Sequence, residues 1–451
     1  MPLIVDKLTT SPHSSVTAVS APTSARPYGL SLTRNFSWNL VGNVVYAGCQ
    51  WGILVVLAKL TSPEMVGRFA LGLAITAPII LLSWLQLRSV QATDAKGEYE
   101  FGQYLGLRIV TTLLALFVIV CIVLVGNYTL ATALVILAVG LSKAFESISD
   151  VCYGLMQRHE RMDHIAKSRL LKGPLSLGVL SVLVLLTRDV LWGVIGLAGI
   201  WGLFLIIYDM KNAALTLNGI QGVRSDKSSA KERMHADFSL SRLQNLAWMT
   251  LPLGIGGALI SLQSSIPRIF LQTYWGEGQL GIFAALAYII VAGNTIVAAL
   301  GQSVIPRLAK YYSNNEIKRY KHLLLRMLTI GLFLALGGIL LAILFGPSLL
   351  TVIYRSEYAQ YNLVFVWAMI GGGMSYIASF LNDSIAATRN FRVYVPLFVI
   401  VNITTLAASI WLIPSYGLVG AALALAVGSF TQVVSGGLFV YTQCKRLEKS
   451  I

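Results

Sequence analysis

The sequence predicts an all-α polytopic membrane protein with about twelve transmembrane helices. Composition is the first observation behind this prediction: of 451 residues, 56% are hydrophobic and 12% are charged, and the mean hydropathy is +0.72. Soluble globular proteins carry about 25% charged residues, because charge covers a surface that faces water. A surface that faces lipid needs no such cover, so the shortage of charge indicates a chain that lies mostly within a bilayer.

Twelve apolar runs provide the second observation. Each is close to the length of about 20 residues that a helix needs to cross the hydrocarbon core. Most connections between them are short, which predicts little mass outside the membrane. In chain order the runs are Phe36–Ala58, Met65–Leu85, Leu105–Val125, Leu130–Cys152, Leu170–Leu186, Leu191–Tyr208, Leu246–Leu271, Leu280–Leu300, Met327–Phe345, Leu363–Leu381, Val393–Ile413 and Leu418–Tyr441.

The distribution of lysine and arginine is the third observation. If the N-terminus is cytoplasmic, the loops on the cytoplasmic side hold 28 of the 34 Lys and Arg residues. Short cytoplasmic loops are enriched in these residues, so the alternation predicts that both termini are cytoplasmic. Because the basic residues lie at the ends of apolar runs, the net charge of +15 does not indicate nucleic-acid binding. The other side holds Lys59, Arg68, Arg188, Arg268 and Arg355, and Lys143 lies within a run.

Two pairs of similar segments indicate an internal repeat. Gly67–Ala74 resembles Gly281–Ala287, and Trp192–Ala198 resembles Tyr416–Ala422. In both pairs the partners lie about half the chain apart, at corresponding places of two six-run halves. Halves of six spans share one orientation, so the repeat predicts parallel halves with a binding site between them near the midplane. Chance similarity between span ends rich in glycine and alanine is the alternative.

These observations divide the chain into five predicted segments. Residues 1–33 are rich in Ser, Thr, Ala and Pro and form a disordered cytosolic tail. The first six-helix half covers residues 34–208, and the second covers residues 243–443. A basic cytosolic linker, 209–242, joins the halves, and residues 444–451 form a short cytosolic tail.

The turn after the first run and the turn before the last run also carry a family resemblance. Ala58–Ala70 and Pro414–Ala422 resemble two turns of the Wzx-type flippases. These flippases are polysaccharide transporters of the multidrug/oligosaccharidyl-lipid/polysaccharide exporter superfamily. Lys59 stands where that family usually has arginine, Ser62 where it has glycine, and Pro267 where many members have aspartate.

The resemblance spans roughly residues 35–445 and implies a MATE-like fold and a transport function. By similarity, the substrate is an undecaprenyl-diphosphate-linked oligosaccharide, a polysaccharide or O-antigen precursor, moved across the bacterial cytoplasmic membrane by alternating access. The resemblance implies no enzymatic activity and no cofactor, and it leaves H+ or Na+ open as a coupling ion. The implied partners are the lipid bilayer, the lipid-linked oligosaccharide and polysaccharide-assembly proteins.

Four basic residues are candidates for a cationic route, because phosphates bind Lys, Arg and helix N-termini. Arg34 lies at the inner end of the first run. Lys59 and Arg68 flank the first outer turn, and Arg268 lies near the outer end of the seventh run. Pro267 is expected to break that helix and to turn Arg268 inward. The alternative for each side chain is snorkelling towards the lipid headgroups.

Four charged residues within or beside the runs are candidates for coupling transport to an ion gradient. Lys143, Glu146 and Asp150 are spaced by three and four residues, which predicts one face of one helix. A charge at the centre of a span costs about 2.5–3.5 kcal/mol, so this face should meet protein or water. Asp383 ends the tenth run on the inner side. The alternatives are a structural Lys143–Glu146 ion pair and a helix-capping role for Asp383.

Two other functions stay open. A drug or cation antiporter of the same superfamily would favour an acidic, aromatic site. A membrane-embedded polysaccharide polymerase or ligase would need catalytic groups in long outer loops, whereas the predicted outer loops are short and the five histidines fall in cytosolic segments. The sequence contains no Walker A motif. His159 and His164, with Glu160 and Asp163 nearby, could suggest a metal cluster, but the five basic residues of Arg158–Lys172 favour a cationic inner loop. Gln86–Tyr104 and Arg307–Arg326 are amphipathic and predict helices that lie on anionic lipid.

Overall fold

The computed structural model describes residues 32–94, 97–219, 234–388 and 393–449. Within these ranges the regular secondary structure is helical and contains no strand, as the composition predicts. Residues 1–31 of the predicted tail and 220–233 of the predicted linker lie outside the described residues. The helices are α1 (Leu32–Leu60), α2 (Pro63–Trp84), α3 (Leu87–Thr93), α4 (Phe101–Val125), α5 (Leu130–Arg158), α6 (Met162–Thr187), α7 (Val190–Phe204), α8 (Met210–Gly219), α9 (Leu240–Ser313), α10 (Ile317–Ile353), α11 (Asn362–Ala387) and α12 (Tyr394–Lys449).

Ten helical segments of the described chain are long and apolar enough to span a membrane, and two of them are unusually long. As straight helices α9 and α12 would measure about 110 and 85 Å, far beyond the roughly 30 Å of a hydrocarbon core. Each is interrupted by a glycine in the left-handed region, Gly276 (φ 81°, ψ 179°) and Gly417 (φ 56°, ψ −124°). Counting the two arms of each helix separately gives the predicted twelve; the number that cross the bilayer stays a prediction.

Short, capped turns connect the helices of the first half. The Thr129 hydroxyl accepts a hydrogen bond from the Thr132 backbone N–H at 3.4 Å and caps α5. The Asp189 carboxylate accepts one from the Leu191 backbone N–H at 2.9 Å and caps α7. Pro63 occupies the first position of α2, where its missing N–H has no helical partner to lose. These turns make consecutive helices antiparallel neighbours.

The two predicted amphipathic segments form bends at the same end of the molecule. The first contains α3 and begins at Gln86, which together with Leu85 has a left-handed backbone (φ 52° and 48°). The second contains the end of α9, a turn with left-handed Asn315 (φ 57°) and the start of α10. Their contact with lipid stays a prediction.

The two halves meet where α2 packs against the second arm of α9. A Cβ atom on Gly67 would stand 1.8 Å from the Glu277 carbonyl oxygen, and one on Gly281 would stand 1.9 Å from the Pro63 carbonyl oxygen. Contact this close excludes a side chain at either glycine. Gly67 and Gly281 also begin the two similar segments found in the sequence, so corresponding turns of the two halves face each other.

Burial changes along the helices that line the boundary between the halves. Next to the glycine contact, residues 280–287 of α9 are all buried, as is Leu57 of α1. Farther away, Asn294 of α9 and Val44 of α1 are exposed. We call the end with the glycine contact the closed end and the end where α1 begins the open end. The halves pack tightly at the closed end, and farther along the first arm of α9 still packs against the end of α2, where a Cβ atom on Gly254 would stand 2.8 Å from the Leu82 carbonyl oxygen. From the exposure of Val44 and Asn294 we infer a cleft between α1 and the second arm of α9 towards the open end.

Candidate functional site

Charged side chains of the first half lie near the middle of α5. The Lys143 ammonium and the Glu146 carboxylate form an ion pair 2.8 Å long. The Tyr46 hydroxyl of α1 donates a hydrogen bond of 3.1 Å to Glu146. The Lys143 Nζ atom lies 4.9 Å from the centroid of the Trp201 ring, a cation–π distance. Lys143 and Glu146 therefore share one helix face, as their spacing predicts.

The second half adds Arg268 and Tyr288 to this pair. Tyr288 interacts electrostatically with Arg268 and with both charges of the α5 pair, so groups from both halves lie within electrostatic reach of one another. We call Tyr46, Lys143, Glu146, Arg268 and Tyr288 the central site. The Nε atom of Arg268 is buried and has no hydrogen-bond partner among the described residues. In that part of the chain, Tyr288 is the only titratable side chain with which Arg268 interacts.

The expected helix break at Pro267 is wrong. The first arm of α9 passes through Pro267 without interruption and ends only at Gly276. Arg268 therefore reaches the central site from a continuous helix. The helix tolerates proline here because neighbouring groups can satisfy the freed backbone carbonyl within a membrane bundle.

Lys59 and Arg68 lie at the closed end, away from the central site. The Arg68 Nε atom donates to the Glu277 Oε2 atom at 2.7 Å, and the Thr132 hydroxyl donates to the other oxygen of Glu277. The Lys59 ammonium donates to the Val352 carbonyl at 3.0 Å. These bonds join the first half to the second. Sequence reasoning missed Glu277, because a single acidic residue in an outer turn gives no signal of its partner.

Arg34 and Asp383 lie towards the open end and do not join the central site. Arg34 is exposed in the first turn of α1. Asp383 is half-buried in α11, and its Oδ2 atom has no hydrogen-bond partner among the described residues. A Cβ atom on Gly301 would stand 1.9 Å from that oxygen, so α9 and α11 approach closely at this point. The roles of both residues stay predictions.

Asp150 lies on α5 with Lys143 but forms ion pairs with other residues. Its carboxylate lies 3.2 Å from the Arg108 guanidinium of α4 and 3.5 Å from the Arg88 guanidinium of α3. Arg108 is fully buried, and its ring contact is with Trp84, 5.9 Å from the guanidinium carbon. The spacing of three and four residues therefore places Asp150 on a common face but does not bring it into the Lys143–Glu146 pair.

A buried ion pair of the first half was missed by sequence reasoning. The Lys172 ammonium of α6 lies 3.0 Å from the Asp209 carboxylate, and these residues are 3% and 0% exposed. Ser168 and Tyr153 also donate to Asp209, at 2.6 and 3.4 Å. Asp209 ends a π-helical turn, Leu205–Asp209, and the chain continues as α8 where the sequence predicts a linker. The only signal was that both residues border apolar runs.

The central site is suited to binding an anion. Its two cations, Lys143 and Arg268, face one carboxylate, Glu146, which leaves an excess of one positive charge. The hydroxyls of Tyr46 and Tyr288 add groups that can donate hydrogen bonds. In the described ranges no group of three or more His, Cys, Asp or Glu side chains could hold a metal ion.

Sequence comparison identifies relatives over most of the chain. A family model described as "Polysaccharide biosynthesis protein" matches residues 32–312. The capsular polysaccharide biosynthesis protein CapF of Staphylococcus aureus is 30% identical over 414 residues, which cover 90% of this chain and 98% of CapF.

Solved structures with the same fold include transporters and a flippase. The lipid II flippase MurJ in an inward closed conformation matches with a TM-score of 0.66 at 12% identity, over 90% of this chain and 89% of MurJ. The D35N mutant of the Vibrio cholerae MATE transporter VcmN matches with a TM-score of 0.59 at 14% identity, over 93% and 96%. These similarities confirm the predicted MATE-like membrane fold. Together with the sequence matches they complete the identification: this chain is a multi-pass membrane protein that belongs to the polysaccharide biosynthesis protein family.

Proposed function

We propose that this protein is a flippase that moves a lipid-diphosphate-linked oligosaccharide across the bacterial cytoplasmic membrane. The substrate's lipid tail can remain in the bilayer, but its diphosphate and sugar hydroxyls cannot cross hydrocarbon without polar partners. A cleft between two halves, lined with cations and hydrogen-bonding groups, supplies those partners. Membership of a polysaccharide biosynthesis family supports the sugar-linked substrate.

Arg268 is the single observation that carries this proposal. It is a half-buried cation in the middle of the molecule, and it has no carboxylate partner among the described residues. Retaining such a charge without a counter-ion is costly, so its site is suited to an anionic ligand. Guanidinium binds phosphate oxygens through two parallel hydrogen bonds, which makes the diphosphate the fitting group.

Transport then follows from exchange between two arrangements of the halves. In the described arrangement the Arg68–Glu277 pair and the Gly67–Gly281 contact hold the closed end together. We infer that the central site is then reached from the open end. Opening the closed end while closing the other would present Arg268 to the opposite leaflet. The charge distribution of the loops supports a cytoplasmic open end and cytoplasmic termini. Neither step requires making or breaking a covalent bond, so we propose a transporter and no enzymatic activity.

Coupling to H+ or Na+ is part of the proposal and favours Asp383 among the candidates. Lys143 and Glu146 neutralise each other on one helix, and Asp150 lies between two arginines. Asp383 has a buried oxygen without a partner in the described part of the chain, which leaves it available to a proton or cation. D383N should therefore reduce the response of transport to an imposed ion gradient more than it reduces substrate binding.

The test is transport by the purified protein in vesicles. A fluorescent short-chain lipid-diphosphate sugar should be flipped by the wild type, and R268Q should lower the rate at least about tenfold, because a charge-assisted hydrogen bond contributes roughly 1.5–3 kcal/mol. R326Q is the matched control, since Arg326 is exposed on α10. Transport of a cationic dye but not of the lipid diphosphate would favour a drug antiporter. Unchanged flipping by R268Q would contradict the role of the central site.

A further inference from the structure

Three cations surround one tyrosine ring near the open end of the first half. The guanidinium carbons of Arg88 and Arg169 lie 5.7 and 5.6 Å from the centroid of the Tyr153 ring, and the Lys172 Nζ atom lies 5.5 Å from it. A single cation on a ring face is stabilised by the ring quadrupole. Three cations on one ring repel one another, so the group requires negative charge nearby.

The carboxylates near these cations, among the described residues, do not supply enough negative charge to neutralise them. Asp209 pairs with Lys172 at 3.0 Å. Asp150 is shared by Arg88, at 3.5 Å, and the buried Arg108, at 3.2 Å. Lys172 also interacts electrostatically with Glu146, but Glu146 is ion-paired with Lys143. Counting Arg169, four cations therefore face two carboxylates that have no partner elsewhere, so this cluster carries an excess of positive charge.

Arg169 is the cation that lacks a carboxylate in the described ranges. Its guanidinium donates instead to the side-chain oxygen of Asn43 on α1. The Asn43 amide in turn donates to the Asn39 side-chain oxygen at 3.1 Å, which fixes its orientation. Two neutral amides therefore hold the Arg169 side chain in place without neutralising it.

Of the four cations in this cluster, two are buried and two are partly exposed. The side chains of Lys172 and Arg108 are 4% and 0% exposed, so no ligand reaches them. The Arg88 side chain is 21% exposed and Arg169 is half-buried. Arg88 is the second residue of the short helix α3 and Arg169 lies in the second turn of α6, so both lie towards the open end. An anion that enters the cleft there meets two guanidinium groups.

We propose that Arg88 and Arg169 form a second anion site that binds the phosphates of the substrate on entry, before the central site does. Two guanidinium groups match phosphate oxygens in geometry and charge. The amides of Asn39 and Asn43 are placed beside it and can hydrogen-bond sugar hydroxyls. The order of the two sites rests on the proposed flippase function; binding of a phosphate anion at this site does not.

We call this second anion site, formed by Arg88 and Arg169, the entry site. It lies within electrostatic reach of the central site. Arg169 interacts electrostatically with Tyr46, the residue whose hydroxyl donates to Glu146 in the central site. A diphosphate that leaves Arg169 for Arg268 therefore passes Tyr46 and Lys143 and stays near a cation at each step. This continuity explains why Arg169 is held by amides: a carboxylate partner would compete with the substrate.

The test measures binding of inorganic pyrophosphate to the full-length purified protein by calorimetry. R169Q should weaken binding to the open-end site at least tenfold. K167Q is the matched control, because Lys167 is exposed on the same helix and pairs with Asp163 at 3.7 Å, and it should change the affinity less than twofold. R169K retains the charge without the guanidinium geometry and should give an intermediate loss. If R169Q does not fold, R169K keeps the proposal testable, and an affinity equal to that of the wild type would overturn it.

Two further measurements are made. One distinguishes a substrate diphosphate from a lipid headgroup as the source of the phosphate, and the other distinguishes the entry site from the central site. Farnesyl diphosphate should compete with pyrophosphate, whereas an affinity that depends only on the phosphatidylglycerol content of nanodiscs would overturn the entry site in favour of a lipid headgroup site. R268Q is titrated in parallel with R169Q. Weaker binding in R169Q, together with no flipping of the lipid-diphosphate sugar by the wild type, would support the entry site while removing the proposed function. Weaker binding in R268Q alone would leave that function intact and overturn the entry site.

Discussion

The Arg68 guanidinium and the Glu277 carboxylate join the two halves of the molecule across 2.7 Å. Arg68 belongs to α2 of the first half, and Glu277 directly follows Gly276, where α9 reverses between its two arms. Thr132 of α5 donates to the same carboxylate. Glu277 is thus bonded to two helices of the opposite half. In the proposed transport cycle these bonds must break when the closed end opens, so we expect them to set the balance between the two arrangements.

Replacing Glu277 by glutamine should shift that balance towards opening of the closed end. The change removes a charge-assisted hydrogen bond, which contributes roughly 1.5–3 kcal/mol, so the population of the opened arrangement should rise roughly 10- to 100-fold. Spin labels placed at the two sides of the closed end, measured by double electron–electron resonance, report the distance directly. E357Q is the control, since Glu357 is exposed at the same end. The charge-swapped R68E/E277R protein should recover the closed arrangement. If the E277Q distances match those of the wild type, the Arg68–Glu277 pair does not govern closure.

Alanine at Gly67 or Gly281 should prevent the closed end from closing. The added Cβ atom would stand 1.8 or 1.9 Å from a backbone carbonyl oxygen, which cannot move without displacing a helix. We expect both variants to expose cysteines introduced at the closed end to a water-soluble thiol reagent faster than the wild type. G178A is the matched control, because nothing lies within 4 Å of a Cβ atom at that position in α6. Labelling rates equal to those of the control would contradict the importance of this contact.

Asp94, in the bend after α3, should make the stability depend on pH. Burial opposes its ionisation, but the backbone N–H groups of Glu98 and Tyr99 and the Arg158 guanidinium outweigh this and hold the pKa of the carboxyl below its usual range. A group with a lowered folded-state pKa stabilises the protein above its ordinary pKa of about 3.9, and this contribution is lost as the pH falls through the folded value. D94N should therefore melt below the wild type at pH 5–8, and the difference should shrink as the pH falls below about 3.9 and disappear only below the folded-state pKa of Asp94.

The matched control for this prediction is E98Q, an exposed position in the same bend. Its melting temperature should follow that of the wild type at every pH. A D94N difference that stays constant down to the lowest pH would show that the carboxylate charge is not the stabilising group.

The fold could be predicted from the sequence because the bilayer restricts the choices. A chain in hydrocarbon must satisfy its backbone hydrogen bonds internally, so apolar runs of sufficient length become helices. The runs before and after Gly276 and Gly417 were separable for the same reason, since no single helix of that length fits a membrane. Pro267 shows the limit: whether a proline interrupts a helix depends on neighbours that a single sequence does not specify.

The partners of the charged residues could be predicted only within one helix. The spacing of Lys143 and Glu146 is local, and their pairing is confirmed. Lys172 and Asp209 are separated by 37 positions and border apolar runs, where hydropathy alone assigns them to water. Their burial depends on how α5, α6 and α7 cover one another. The same is true of Arg68 and Glu277, which meet only because the halves are closed at that end.

The buried Lys172–Asp209 pair should be strongly coupled in its effect on stability. Removing one partner leaves an uncompensated charge in a dry interior, which costs about 3–5 kcal/mol. K172M and D209L should each lower the free energy of unfolding in detergent by that amount. The double variant K172M/D209L should be much closer to the wild type, because replacing a whole buried pair by apolar side chains is often nearly neutral.

A double-mutant cycle measured by denaturant unfolding gives the coupling energy of this pair. K211M is the control, since Lys211 is exposed on α8 near Asp209 in the sequence. Additive losses in the double variant would mean that Lys172 and Asp209 act independently. In that case Ser168 and Tyr153, which donate to Asp209 at 2.6 and 3.4 Å, would be the groups that hold the carboxylate at the π-helical turn. Strong coupling would instead make the lysine the reason that a carboxylate can be buried there.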